Sequence, residues 1–386
     1  MNRIRDAIKR TETPSWIRSV PYDFGEAKAG TLKADEWRTL ITIYIPLALI
    51  LEWGEWAKIS DAEVALRAAT MLNHTMDLVC AVIIACRRTA TGPRTERYRD
   101  YMKAYVEGIA NGLYPDYGLK PNHHFALHIY DFLKLFGPIH SWWVFPFERL
   151  IGQLQRIPHN HRIGNSALLD ALTFFKPQRL VGQLESTMHR TFVRAANMKR
   201  WIGRTCASQA VLLFKKQVFD RFFAPPGDRE SIITDNELAT ATRVAIPQDL
   251  SPLLPLGSRK VVLRAHHRAH NVVYSRSRTH VGNSLIQFQP GGTVTAHPVA
   301  ASIKYIYERE GKTRFAVQRQ ELAQDIVDPF LKWRDFPVRL YSSALSPALE
   351  EIEVEHVIGH CARYSITDRL VAMFFLSMVS PGNLLL

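Results

Sequence analysis

This sequence predicts an α+β fold: a mainly helical N-terminal region followed by a small all-β C-terminal domain, barrel or sandwich-like. Two observations predict it. Up to about residue 222, apolar residues recur at helical spacing. From Lys260 onward, short β-type runs dominate, separated by Gly and Pro turns. Between the two regimes, residues 223–256 open on Pro225-Pro226-Gly227 and close on Pro247, Pro252 and Pro255, the composition of a linker. A chain of 386 residues has ample material for two or three cores.

Taken in order, residues 1–31 read as a polar lead carrying Pro14, Pro21, Gly25 and Gly30. The helical region 32–222 begins with Leu32, Trp37, Leu40, Ile41, Tyr44 and Ile45 at helical spacing, and Pro46 kinks or divides that run. Ser60-Asp61-Ala62-Glu63 reads as a capping box opening a long helix to about Arg87. Tyr98, Tyr101, Met102, Tyr105, Val106 and Ile109 mark one face of the next helix, which Asn111-Gly112 ends. A further helix runs from about His123 to Phe136 and stops at Gly137-Pro138; another starts near Pro146.

Residues 184–204 form a helix whose Leu184, Met188, Phe192 and Ala196 face one way. The β runs are Val261–Leu263, Val272–Tyr274, Ser284–Phe288, Thr293–Ala296, Ile303–Tyr307, Arg314–Gln318 and Val338–Tyr341, which place a small β domain at 257–368. Residues 369–386 read as a divergent tail.

Composition narrows the function classes. Lys and Arg exceed Asp and Glu by 13, an excess that favours polyanions, chiefly nucleic acid, or else is a solvated basic surface. The four cysteines show no CxxC spacing; Cys80 and Cys86 read as buried thiols in a reducing compartment, so the expected location is nuclear or cytoplasmic. No uninterrupted apolar run reaches ~18–20 residues, and no membrane contact is expected. The basic N-terminus lacks the apolar stretch of a secretory signal. Neither a GxxxxGK[ST] phosphate loop, a GxGxxG turn after a strand, nor a GxSxG elbow occurs.

The candidate chemistry gathers in residues 121–155. Glu148 opens a helix just after Pro146, beside Arg149. It is either a metal-ligand candidate, since phosphodiester chemistry uses carboxylate-held metal pairs, or half of an ion pair with Arg149. His124 and His128 lie at i, i+4, which suits shared metal ligation or shared packing. Adjacent Trp142 and Trp143 suit base stacking or core anchoring. Downstream, Arg190, Arg194, Lys199, Arg200 and Arg204 make the 184–204 helix strongly basic, either a DNA-backbone contact or a solvated face. His159 and His161, like His266, His267 and His270, lie in basic segments and suit polyanion contact better than metal binding.

At these residues a family resemblance enters. The runs Leu32–Leu40, Pro121–Ile129 and Phe136–Arg149 resemble the C-terminal part of CACTA-type (En/Spm-like) DNA transposases in the version found in fungi. Asp328-Pro329-Phe330, Asp335–Ser342 and Val357–Tyr364 resemble blocks downstream in those proteins, and the resemblance spans most of residues 14–368. It implies an RNase H-like catalytic domain with an Asp, Asp, Glu triad, Mg2+ dependence and a helical insertion before the glutamate. Glu148 matches that third carboxylate. His124 and His128 match a histidine-containing motif near the end of the insertion.

The chain departs from the family in three places. Upstream, residues 1–31 offer only Asp6 and Asp23, without strands around them. Residues 165–182, flanked by the near-copies Gly152-Gln153-Leu154-Gln155 and Gly182-Gln183-Leu184-Glu185, read as an extra insertion. Residues 369–386 leave the family pattern.

The expectation is therefore a truncated transposase relic, not cleaving DNA alone and needing no cofactor. It would bind DNA, or a protein partner or second copy through exposed apolar surface. The alternatives are an active metal-dependent strand-transferase or nuclease using Glu148, and a host-adopted nuclear interaction module.

Overall fold

The computed structural model describes residues 1–17, 20–26, 29–54, 59–144, 148, 193, 194, 197, 200, 241–269, 272–292 and 297–376. The chain divides into two compact units, Met1–Trp142 with Ile233–Leu386, and Trp143–Ile232. Helices lead and strands follow, as the periodicity predicts. Helices and strands of the first unit nevertheless share one core rather than forming successive domains across a linker at 223–256.

The helices are α1 (Asn2–Arg10), α2 (Ala34–Thr39), α3 (Ile45–Trp53), α4 (Ala62–Ala85), α5 (Gly92–Ala110) and α6 (Pro121–Phe136). A π-helical turn, Leu40–Tyr44, joins α2 to α3. Pro46 explains it: proline has no N–H and its ring crowds the carbonyl four residues back, so the Ile45 N–H reaches Leu40 O instead. The cap of α4 is Asp61, not Ser60; its carboxylate accepts from the N–H groups of Glu63 and Val64 at 2.8 and 3.1 Å. Gly112 and Gly137, both at φ 76°, stop α5 and α6 where expected.

Helix α4 is the one described helix long and apolar enough to cross a membrane by length and composition. It has 24 residues and an 18-residue window of mean hydropathy 1.5, so its length and composition would cross a bilayer. His74, Thr75 and Asp77 interrupt its apolar run without lowering the average far. In the fold it packs beside α3 and α5, with Leu72, Met76, Val79 and Cys80 buried.

The strands are β1 (Thr11–Glu12), β2 (Ala241–Ala245), β3 (Lys260–Arg264), β4 (His266–Ala269), β5 (Val272–Ser275), β6 (Leu285–Phe288), β7 (Val299–Arg309), β8 (Lys312–Leu322), β9 (Val338–Leu345), β10 (Glu350–Glu353), β11 (Val357–Ser365) and β12 (Leu370–Phe375). All described pairings are antiparallel. In the order β7-β8-β9-β12-β11-β6 and back to β7 they close a barrel. Strands β10, β3 and β2 extend it, and β4–β5 is a separate hairpin.

The two-residue period sorts the side chains. Leu285, Ala300, Tyr341, Cys361, Val371 and Met373 form a buried cluster of strand residues alone, the barrel interior. On the opposite face, Val338, Leu340, Ala362, Ala372 and Phe374 pack against Leu40, Leu47 and Ile50 from the helices. Elsewhere on that face, hairpin residues Val272 and Tyr274 cover Ile286, Phe288, Ile303 and Phe315.

Two segments set aside in the sequence prove structural. Residues 1–31 are no free polar lead. Ala7 is buried, β1 pairs with β11, and Ser15 and Asn283 exchange hydrogen bonds of 2.8 and 3.0 Å. A Cβ on Gly282 would collide with the Thr13 carbonyl, so a glycine is needed where the strap crosses. The start of the 369–386 tail is β12, which pairs β11 on one side and β9 on the other. Thr293–Ala296 lies outside the described residues. The predicted runs also leave out β2, β4, β10 and β11, which are short or rich in charge, His and Gly, as they leave out β1 and β12.

Candidate functional site

Glu148 is an exposed helical residue whose N–H bonds to Val144 O at 2.9 Å. Arg149, Arg190, Lys199, Arg204, His159, His161, His270 and the segment 165–182 lie outside the described residues, so the proposed Glu148–Arg149 pair does too. Arg194 and Arg200 are exposed on helical positions, and Arg200 Nη1 donates to Asn197 Oδ1 at 3.3 Å.

His124 and His128 meet on the exposed side of α6, with their Nε2 atoms 3.2 Å apart. Asp131, one turn on, accepts from His128 Nδ1 at 3.3 Å. That third residue was not singled out in the sequence, although its i, i+3 spacing from His128 was readable. Among the described residues no group of three His, Cys, Asp or Glu could hold a metal ion.

Trp142 packs against the cluster of α4, α5 and α6, donates from Nε1 to Gly137 O at 3.1 Å and meets Phe132 edge-on. Its ring is thereby occupied in packing. Trp143 is half-buried. Helix α6 exposes Phe125, Phe132, Leu135 and Phe136.

Two of the downstream blocks that suggested the family, those at Asp328 and Asp335, serve packing in the first unit. Asp328 accepts from the N–H groups of Phe330 and Leu340 at 2.8 and 2.9 Å, fastening the loop to β9. Asp335, 3% exposed, receives Arg97 in a two-point contact, Nε to Oδ2 at 2.8 Å and Nη2 to Oδ1 at 3.1 Å. The hydrogen bond to Asp335 raises the Arg97 guanidinium above its usual range. Nearby, burial pushes the Cys80 thiol up to about 12, with Asp335 and Asp77 adding to it, as suits an inert core thiol. Cys80 and Cys361 are buried, whereas Cys86 is half-buried and Cys206 lies outside the described residues.

His360, on β11, is fully buried. Trp16 Nε1 donates to its Nδ1 at 3.3 Å, so Nε2 carries the hydrogen and donates to Asn283 O at 3.2 Å. Tyr274 stacks on the ring at 4.7 Å. Burial lowers its pKa from 6.5 to about 4. The unfolded chain therefore takes up a proton near pH 6.5 while the folded chain does not. Stability from this group is complete above pH 6.5 and falls as pH drops toward about 4, by on the order of 3 kcal/mol. Urea midpoints from pH 7 to pH 4 should fall, and His360→Gln should flatten that slope.

The electrostatic signal missed in the sequence is an absence. From Leu250 to Tyr307 there is no Asp or Glu, while the same stretch carries seven Lys or Arg and five His. Counting charges over the whole chain dilutes this run. In comparisons with known proteins, no family model, no curated protein and no solved structure matches this chain.

Proposed function

We propose that this protein is a non-cleaving, nucleic-acid-binding relic of a CACTA-like transposase. The observation that supports it most is the net charge of +13. Exposed Arg194 and Arg200 on helical turns add to it. Arginine side chains bind phosphate oxygens, and counterion release then drives association. The family resemblance supplies ancestry; the charge supplies the activity.

The test is titration of a fluorescent duplex at ~50 mM salt, where phosphate contacts are strongest. Binding that weakens linearly in log salt is expected, and no binding at that salt rejects the proposal. Mg2+-dependent nicking that Glu148→Gln abolishes would support the strand-transferase alternative instead.

The exposed aromatic face of α6 favours a second reading, a protein-interaction module in the nucleus. Concentration-dependent association in sedimentation, removed by Phe125→Ser with Phe136→Ser, would support it.

A further inference from the structure

We propose a separate nucleic-acid contact in the β region, formed by Arg243, Arg259, Lys260, Arg276 and Arg278 and taking the phosphodiester backbone of duplex DNA. It rests on the nucleic-acid reading above but uses other residues.

The acid-free run Leu250–Tyr307 supplies four of the five cations, and β2 places Arg243 beside them. Register fixes the first group. Arg243 stands opposite Val262 and Ala245 opposite Lys260, and Val261 and Leu263 turn inward to the core. Side chains at 260, 262 and 243 therefore share the other face of the β2–β3 ribbon. Two backbone bonds fix the second group. Arg276 N donates to Ala265 O at 3.1 Å, and Ser277 N donates to Ile303 O at 2.8 Å. The Arg276–Arg278 turn is thus tied to the end of β3 and to β7. Lys260 and Ala265 are five residues apart, at most about 17 Å along an extended strand. Duplex DNA presents about one charge per 1.7 Å of axis, so several phosphates fall within that span.

A contrast within the same sheet decides whether these cations are spare. Across β3, β7, β8 and β10 four arginines are neutralised: Arg264, at the end of β3 and on the same face as Lys260, by Glu308, Arg309 by Glu351, Arg314 by Glu353 and Arg319 by Glu350. Lys304 pairs with Asp249 at 2.9 Å, at the margin of the run. Arg243, Arg259, Lys260, Arg276 and Arg278 have no ion pair among the described residues, and Arg243, Arg259, Lys260 and Arg278 are exposed. A region that neutralises four arginines and leaves Arg243 and Lys260 on its strands, with Arg259, Arg276 and Arg278 on the adjoining loops, without an acidic partner among the described residues is suited to an external anion. Cations at spacings set by strands and backbone bonds match a stiff, regularly charged polymer better than a flexible acidic peptide.

The experiment uses the full chain and a fluorescent duplex of about 20 base pairs, titrated from ~50 to ~200 mM salt. Combining Arg259→Ala, Lys260→Ala, Arg276→Ala and Arg278→Ala should weaken binding at least ~10-fold. It should also flatten the log–log salt slope by about 0.9 for each phosphate no longer neutralised. A control of equal charge, Arg67→Ala, Lys103→Ala, Lys332→Ala and Arg369→Ala, should change affinity less than ~3-fold. If the first variant fails to fold, Arg259→Gln with Arg278→Gln carries the same prediction at about half the slope change.

Equal weakening in the two fourfold variants, or none in the first, overturns the proposal while leaving the nucleic-acid reading intact. Displacement of the duplex by poly-glutamate at equal charge concentration overturns it in favour of an acidic peptide. Absence of wild-type binding overturns both readings.

Discussion

A chain ending at Asp368 is expected to lose cooperative folding of the barrel. Strand β12 bonds to β11 from Cys361 to Ser365 and to β9 from Val338 to Ser342. Removing it opens the ring, leaves two unpaired edges and takes buried side chains from both cores. Buried backbone groups without partners cost on the order of 1–3 kcal/mol each, and a domain has only about 5–15 kcal/mol in total. The measurement is near-ultraviolet circular dichroism through a urea titration: full length should give a sigmoid, the truncated chain a gradual slope.

A point variant separates packing from pairing. Phe374 is 2% exposed and meets Phe336 edge-on, with ring centroids 5.8 Å apart. Phe374→Ala keeps the strand and should cost about 3–5 kcal/mol. A truncated chain that unfolds cooperatively at the full-length midpoint would show β12 to be dispensable.

Arg97→Ala is expected to cost about 3–5 kcal/mol, because it leaves the Asp335 carboxylate buried without its cation. The side chains are unequally placed: that of Asp335 is buried and that of Arg97 is 25% exposed. The only other described hydrogen bond to that carboxylate from a side chain is Tyr101 Oη, at a long 3.4 Å. Asp335→Asn should cost less, about 1–3 kcal/mol, since it removes the buried charge and leaves Arg97 able to reach water. Denaturant midpoints for the two variants give the comparison. If Asp335→Asn proves the more damaging, the contact is not governed by desolvation of the carboxylate. Because Arg97 belongs to α5 and Asp335 to the loop before β9, the pair also fastens helices to barrel.

Both effects arise from contacts far apart in sequence, and that separates what was legible from what was not. The α5 stripe Tyr98, Tyr101, Met102, Tyr105, Val106 and Ile109 announced its helix, since each turn must bury one face. Runs such as Ile303–Tyr307 announced strands. Asp335 opened a block that resembles the family but announced no partner: an aspartate before Phe336-Pro337 looks like any turn residue until Arg97, 238 positions away, is brought to it. Likewise the polarity of residues 1–31 hid a strap, because much of what it sets into the fold is backbone and polar side chain matched to Asn283 and His360 rather than a run of apolar residues.

By itself the sequence determined the order of helices and strands, the caps at Gly112 and Gly137, and the excess of positive charge, all of which depend on neighbours in the chain. Tertiary structure decided that β12 closes a barrel, that helices and strands share one core, and which arginines are neutralised and which are left facing solvent. Those depend on pairing partners far along the chain, and local propensity carries no information about which distant residue will be met.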